Sequence, residues 1–174
     1  RDFCLSRGLG DVYKRQMVTD PAAYIEPLRA AGADYVSFHA DSTHFVIRSL
    51  RAIREVGMKA GIVLNPSQQV DVIRPYLDWV DLVVLMTVEP GFAGQKFMVE
   101  SLPRLEELSK LREETGKEFL ISIDGGINYP NVQPCVRRGA NLFVTGVYTV
   151  YRQPDGIPAA CQRFEQEMRK GLVE

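Results

Sequence analysis

Short apolar runs and helical periodicities alternate along this chain. Residues 35–39, 60–65, 82–88, 119–124 and 142–146 are rich in Val, Ile, Leu and Phe with few polar breaks. That is the texture of parallel strands covered on both faces. Between them, residues 20–31, 43–57, 69–77, 100–116, 129–138 and 157–172 carry apolar positions at helical spacing. Gly57, Gly116 and Gly139 stand just past predicted helix ends, and Asp20 precedes Pro21 at a predicted start. Ala31-Gly32-Ala33-Asp34 and Arg138-Gly139-Ala140-Asn141 repeat one phrase, a short turn from helix into strand in which Gly takes the left-handed position.

The unit is therefore βα, and its regular recurrence predicts an α/β protein, either a doubly wound sheet or a (β/α)8 barrel. A unit of about 27 residues fits about six times into residues 17–174, so a barrel built from them would be incomplete. Residues 1–16 show neither strand alternation nor helical period. We expect that segment to be foreign to the fold, an assembly scar, or else a disordered N-terminal arm.

Composition narrows the function classes. The 174 residues hold 21 Lys+Arg against 22 Asp+Glu, a formal charge of −1, which recommends neither nucleic acid nor an anionic membrane as partner. No apolar run approaches the length of a membrane span, and the N-terminus has no secretory pattern, so a cytoplasmic protein is expected. Cys4, Cys135 and Cys161 are widely spaced and odd in number, which predicts reduced thiols and no zinc knuckle. The two histidines form no His-x-His pair, and the dinucleotide, Walker and serine-hydrolase loop motifs are absent.

Candidate chemistry sits at predicted strand ends. Glu89-Pro90-Gly91-Phe92-Ala93-Gly94-Gln95 follows one strand, Asp124-Gly125-Gly126 closes the next, and Gly146-Val147 follows the last. Ligands bind at strand carboxyl ends in both architectures, and glycine turns there expose N–H groups suited to a phosphate. A Pro-Gly-x-x-Gly sequence alone is most often only a turn. Asp124 can ligate a metal or exchange a proton with carbon; a helix cap or an Asx turn would also explain it. His39 could line the mouth of the site or serve as a hydrogen-bonding support, Met86 faces either the site or the core, and His44 is expected in solvent.

Met86-Thr87-Val88-Glu89-Pro90-Gly91-Phe92-Ala93-Gly94-Gln95-Lys96-Phe97, with Arg104-Leu105 beyond, resembles the signature of the ribulose-phosphate 3-epimerase family. Ser37-Phe38-His39, Asn65-Pro66, Ile123-Asp124-Gly125-Gly126 and Gly139 to Gly146 agree in order, so the resemblance runs from Met17 to the C-terminus. It implies about the last six units of a (β/α)8 TIM barrel, with the first two strands and most of the third missing. It also implies C3 epimerisation of D-ribulose 5-phosphate to D-xylulose 5-phosphate through a cis-enediolate. By resemblance Asp124 is acid/base and metal ligand, and a divalent cation (Zn, Fe, Mn or Co) serves the intact enzyme. Gly91, Phe92, Ala93, Gly94, Gly125, Gly126, Gly146 and Val147 would hold the phosphate, with Met86 and His39 lining the site. The intact enzyme is expected to be a homo-oligomer.

Three of the family's four metal ligands have no counterpart here, so this chain alone is expected to be inactive. Ala93 stands for a common glycine and Val147 for a common serine. These changes leave open a hexulose 6-phosphate (allulose 6-phosphate) 3-epimerase, and a non-catalytic phosphate-binding barrel fragment remains as a further alternative.

Overall fold

The computed structural model describes residues 21–92 and 94–172, together with the backbone of 13–15. Six strands form one sheet: β1 (Tyr13–Arg15), β2 (Tyr35–His39), β3 (Lys59–Leu64), β4 (Leu82–Met86), β5 (Leu120–Asp124) and β6 (Leu142–Val144). All neighbours are parallel and the spatial order is the chain order. The helices are α1 (Ile25–Ala30), α2 (Val46–Glu55), α3 (Ser101–Thr115), α4 (Tyr129–Val136) and α5 (Gly156–Leu172).

Strand side chains alternate between two apolar layers. Phe38, Ile62, Leu64, Val83, Leu85, Ile121 and Ile123 share a core with Leu50 and Ile53 of α2, Leu105 and Leu108 of α3, and Val132 of α4. The opposite layer gathers Val63, Leu82, Val84 and Met86 from strands, with Tyr35, Leu120 and Leu142 beside them and no helix residue among them. A doubly wound sheet would place helices against both layers and reverse its strand order once. Sequential order with helices on one face is the barrel arrangement, and the described strands form an incomplete (β/α)8 barrel. The face opposite the helices is the barrel interior.

Local chemistry sets the element boundaries. Asn128 caps α4 in a reciprocal box: its side chain accepts from Asn131 N at 3.2 Å, while Asn131 Oδ1 accepts from Asn128 N at 2.9 Å. The α4–β6 turn packs so closely that a Cβ on Gly139 would lie 2.3 Å from Ser109 Oγ.

Three expectations are corrected. Tyr13–Arg15, assigned above to a segment outside the fold, pair with Tyr35–Ser37 as an edge strand. Three residues carry too little alternation to read as a strand, and the neighbouring edge supplies the pairing instead. The other residues of the 1–16 segment lie outside the described residues. The helix predicted over 69–77 is a 3₁₀ segment, Val70–Trp79, with Pro75 inside it. Proline removes an N–H and crowds the preceding turn, so the wider α ladder is lost. The last strand ends at Val144, and Val147–Tyr151 winds as a π-helical turn.

Candidate active site at the carboxyl ends of the strands

Asp124 is the last residue of β5 and lies in register with Met86 of β4 and Val144 of β6. Alternation puts all three on the interior face, with Asp124 8% exposed. Asp124 does not cap α4, since Asn128 does that, so the capping alternative is removed.

The strand end is held by Thr87, whose importance the sequence reading missed. Its N–H donates to Asp124 O at 2.9 Å. Its hydroxyl lies 3.1 Å from Asp124 O and 2.6 Å from Gly125 O. Thr87 O in turn accepts from Met98 N at 2.9 Å, tying the far end of the β4–α3 loop to the same point. A buried hydroxyl must find such partners, and the available signal was a Thr placed directly after a buried apolar strand. Gln95 closes the loop by donating from Nε2 to Glu89 O at 2.5 Å and Phe92 O at 3.1 Å.

The three glycine turns come together. A Cβ on Gly125 would lie 2.6 Å from Val88 Cγ2, and one on Gly126 2.3 Å from Phe97 N. Those two glycines let the β5–α4 turn press against the β4–α3 loop, a different reason from the ligand approach that glycines in such a turn suggest. Gly94, at φ +89°, lies against the Tyr148 ring of the turn after β6. At Gly91 and Gly146 an added Cβ meets nothing within 4 Å, so the open space lies there. Phe92 and Val147 border this region in solvent, at 73% and 42% exposed. Ala93 lies outside the described residues.

The turn after β6 is latched to the turn after β5. Thr149 donates its hydroxyl to Ile127 O, and Tyr129 OH donates to Thr149 O at 3.0 Å. Neither residue carried a role in the sequence reading.

Met86, 2% exposed, belongs to the interior layer and pairs with Asp124. His39 ends β2 and is buried, but its register is with Val63, which pairs with Val84 and not with Met86. It therefore lies in the register row of Val84 and Ser122, not in that of Met86 and Asp124. His44 is exposed, as expected, and Glu89 is exposed as well. Among the described residues no group of three or more His, Cys, Asp or Glu is arranged to hold a metal ion. The donors among the described residues do not fit a metal centre, although Asp124 could contribute one ligand. Among the described residues, too, no helix is long and apolar enough to cross a membrane.

Comparison with known proteins gives a consistent result. The profile of the ribulose-phosphate 3 epimerase family matches residues 12–150. Ribulose-phosphate 3-epimerase of Bacillus subtilis is 44% identical over 140 residues, 80% of this chain and 64% of that protein. Its counterpart in Aquifex aeolicus is 41% identical over 75% of this chain and 59% of its own length. The Escherichia coli K12 enzyme is 35% identical over 91% and 68% respectively. This chain thus spans under two thirds of the length of the first two relatives. Among solved structures, 3-keto-L-gulonate-6-phosphate decarboxylase from Vibrio cholerae aligns with a TM-score of 0.66 at 17% identity, covering 90% of this chain and 71% of its own. 3-Hexulose-6-phosphate synthase from Salmonella typhimurium aligns at 0.65 and 20% identity, covering 88% and 71%. Those two likenesses concern the fold alone. On the profile and the sequence relatives together, the chain belongs to the ribulose-phosphate 3 epimerase family.

Proposed function

We propose that this chain carries the phosphate grip and one acid/base carboxylate of an epimerase that inverts C3 of D-ribulose 5-phosphate to give D-xylulose 5-phosphate. One observation carries the proposal: Asp124 stands on the interior face beside three joined turns, two of whose glycines open onto empty space.

The C3 hydrogen lies next to the C2 ketone, so its loss gives an enediolate instead of an unsupported carbanion. Asp124 takes the proton, while the turns at Gly91–Gly94, Gly125–Gly126 and Gly146–Val147 hold the phosphate and fix which carbon meets the carboxylate. A divalent cation bound in the intact family enzyme would stabilise the enediolate oxygens. The donors among the described residues do not fit such an ion.

Epimerisation needs proton carriers on both sides of the carbon. On the interior face of β2 to β6, Asp124 is the one carboxylate among the described residues. A single carrier returns the proton to the face it left, so the chain alone is proposed to bind substrate without turning it over. A cytoplasmic homo-oligomer acting on a sugar phosphate completes the proposal, with no nucleic-acid or membrane partner, the last point being supported by the formal charge of −1.

The test joins this chain to the first strands of the Bacillus subtilis relative and follows C3 by proton NMR in deuterium oxide with manganese present. Deuterium at C3 together with xylulose 5-phosphate is the expected result, and its absence ends the epimerase proposal. Faster exchange with allulose 6-phosphate moves the substrate to a hexulose phosphate, and binding without exchange leaves a phosphate-binding protein.

A further inference from the structure

We propose that Tyr148 is a phosphate-contacting side chain, its phenol donating to a phosphate group seated in the open space between the turns at Gly91 and Gly146. This deepens the function proposed above and rests on it.

The turn after β6 is unusual in being π-helical, a geometry that often marks functional sites because it shifts the side chains that follow. Its consequence is visible at three positions. The Val147 side chain offers no hydrogen-bonding group, and the Thr149 hydroxyl is committed to Ile127 O. Tyr148 between them projects across to the neighbouring loop. A Cβ on Gly94 would lie 3.4 Å from Tyr148 Cε2 and 3.7 Å from its hydroxyl, so the ring rests on the backbone of the β4–α3 turn.

This large aromatic stays 65% exposed although it contacts the loop, which leaves its phenol accessible to a ligand. Two contacts hold the turn beneath it: Gln153 Nε2 donates to Tyr148 O at 2.7 Å, and Arg152 N to Val147 O at 2.8 Å. The Arg152 guanidinium lies 5.6 Å from the centre of the Tyr148 ring, bringing a positive charge to the same place. A hydroxyl donor beside a cation and a side-chain-free turn is a combination that suits a phosphate, whose oxygens accept short, charge-assisted hydrogen bonds.

The test uses the 174-residue chain itself, titrated with inorganic phosphate and with ribulose 5-phosphate by calorimetry. Tyr148→Phe keeps the ring and removes the donor; its affinity is expected to fall about tenfold, by the same factor for both ligands, with an unchanged melting temperature. Arg152→Gln is expected to flatten the salt dependence of binding. If Gly146→Val abolishes binding while Tyr148→Phe leaves it unchanged, the role of Tyr148 is refuted and the phosphate site stands. A loss confined to ribulose 5-phosphate puts the phenol on the sugar and also overturns the proposal. Absence of binding by the unsubstituted chain overturns the phosphate site itself, and Tyr148 with it.

Discussion

A Cβ added at Gly126 would lie 2.3 Å from a backbone nitrogen, at φ +62°, whereas one added at Gly146 would meet nothing, at φ −112°. Gly126→Ala must therefore move the β4–α3 loop and is expected to cost about 2–4 kcal/mol in urea unfolding. Gly146→Val should leave the unfolding midpoint in place and cut phosphate affinity, because its methyls fill the open side of the turn. In sequence the two glycines look alike, since what distinguishes them is which loop lies alongside. Asp124 was legible for the opposite reason, as a carboxylate ending an apolar run needs no partner to be recognised. At Cys135, burial pushes the thiol from 9.0 up to about 12. Below pH 9 the thiol is protonated in both folded and unfolded chain, so its contribution is complete there. As the pH rises from 9 toward 12 the unfolded thiol ionises first, and stability falls by up to about 1.4 kcal/mol per pH unit. Urea unfolding across that range should show a shallower loss in Cys135→Ala than in the unsubstituted chain. Equal slopes would mean that the thiol is not withdrawn from water.

Elements at the strand ends are fastened to one another mainly by side chain to backbone bonds. Arg104 on α3 donates from one guanidinium nitrogen to Asn65 O at 2.9 Å and Gln68 O at 2.8 Å, holding the segment after β3. Asn65 Nδ2 then reaches Asp41 Oδ2 at 3.0 Å in the segment after β2. Arg104 is half-buried, and burial lowers its pKa against the raising effect of Glu107. Arg104→Met keeps the stem packing and leaves the two carbonyls without this donor, so about 1.5–3 kcal/mol of stability should be lost. Amide exchange should quicken locally over residues 65–70; uniform quickening would show that the arginine supports the whole fold instead. Helices and central strands were readable because their apolar periods are long enough to be unambiguous. The 3₁₀ segment was half readable, since Pro75 was plain but its effect depends on where the α ladder would have run. β1 was not readable, because three residues acquire their strand character only from the edge beside them.

At the scale of the whole molecule, the choice between barrel and doubly wound sheet was closed to the sequence because both repeat the same βα unit. It is decided by strand order and by the interior layer, in which no helix residue is found among the described residues. That architecture leaves a consequence at β6. Among the described residues β6 pairs with β5 alone, and Val144 on its interior face is 48% exposed, with Val147 and Tyr148 close by in sequence also exposed. An edge strand of this kind offers a row of N–H and C=O groups together with apolar surface, the combination that recruits another strand. The chain should accordingly sediment as a concentration-dependent mixture, independent of any ligand. Val144→Lys puts a charge where a second chain would have to bury it, so that variant should shift toward the single-chain species with little change in its melting temperature. Sedimentation velocity over a hundredfold concentration range separates the outcomes. If both proteins run as single species at every concentration, the β6 edge is protected by something other than its own chemistry, and association through it is excluded.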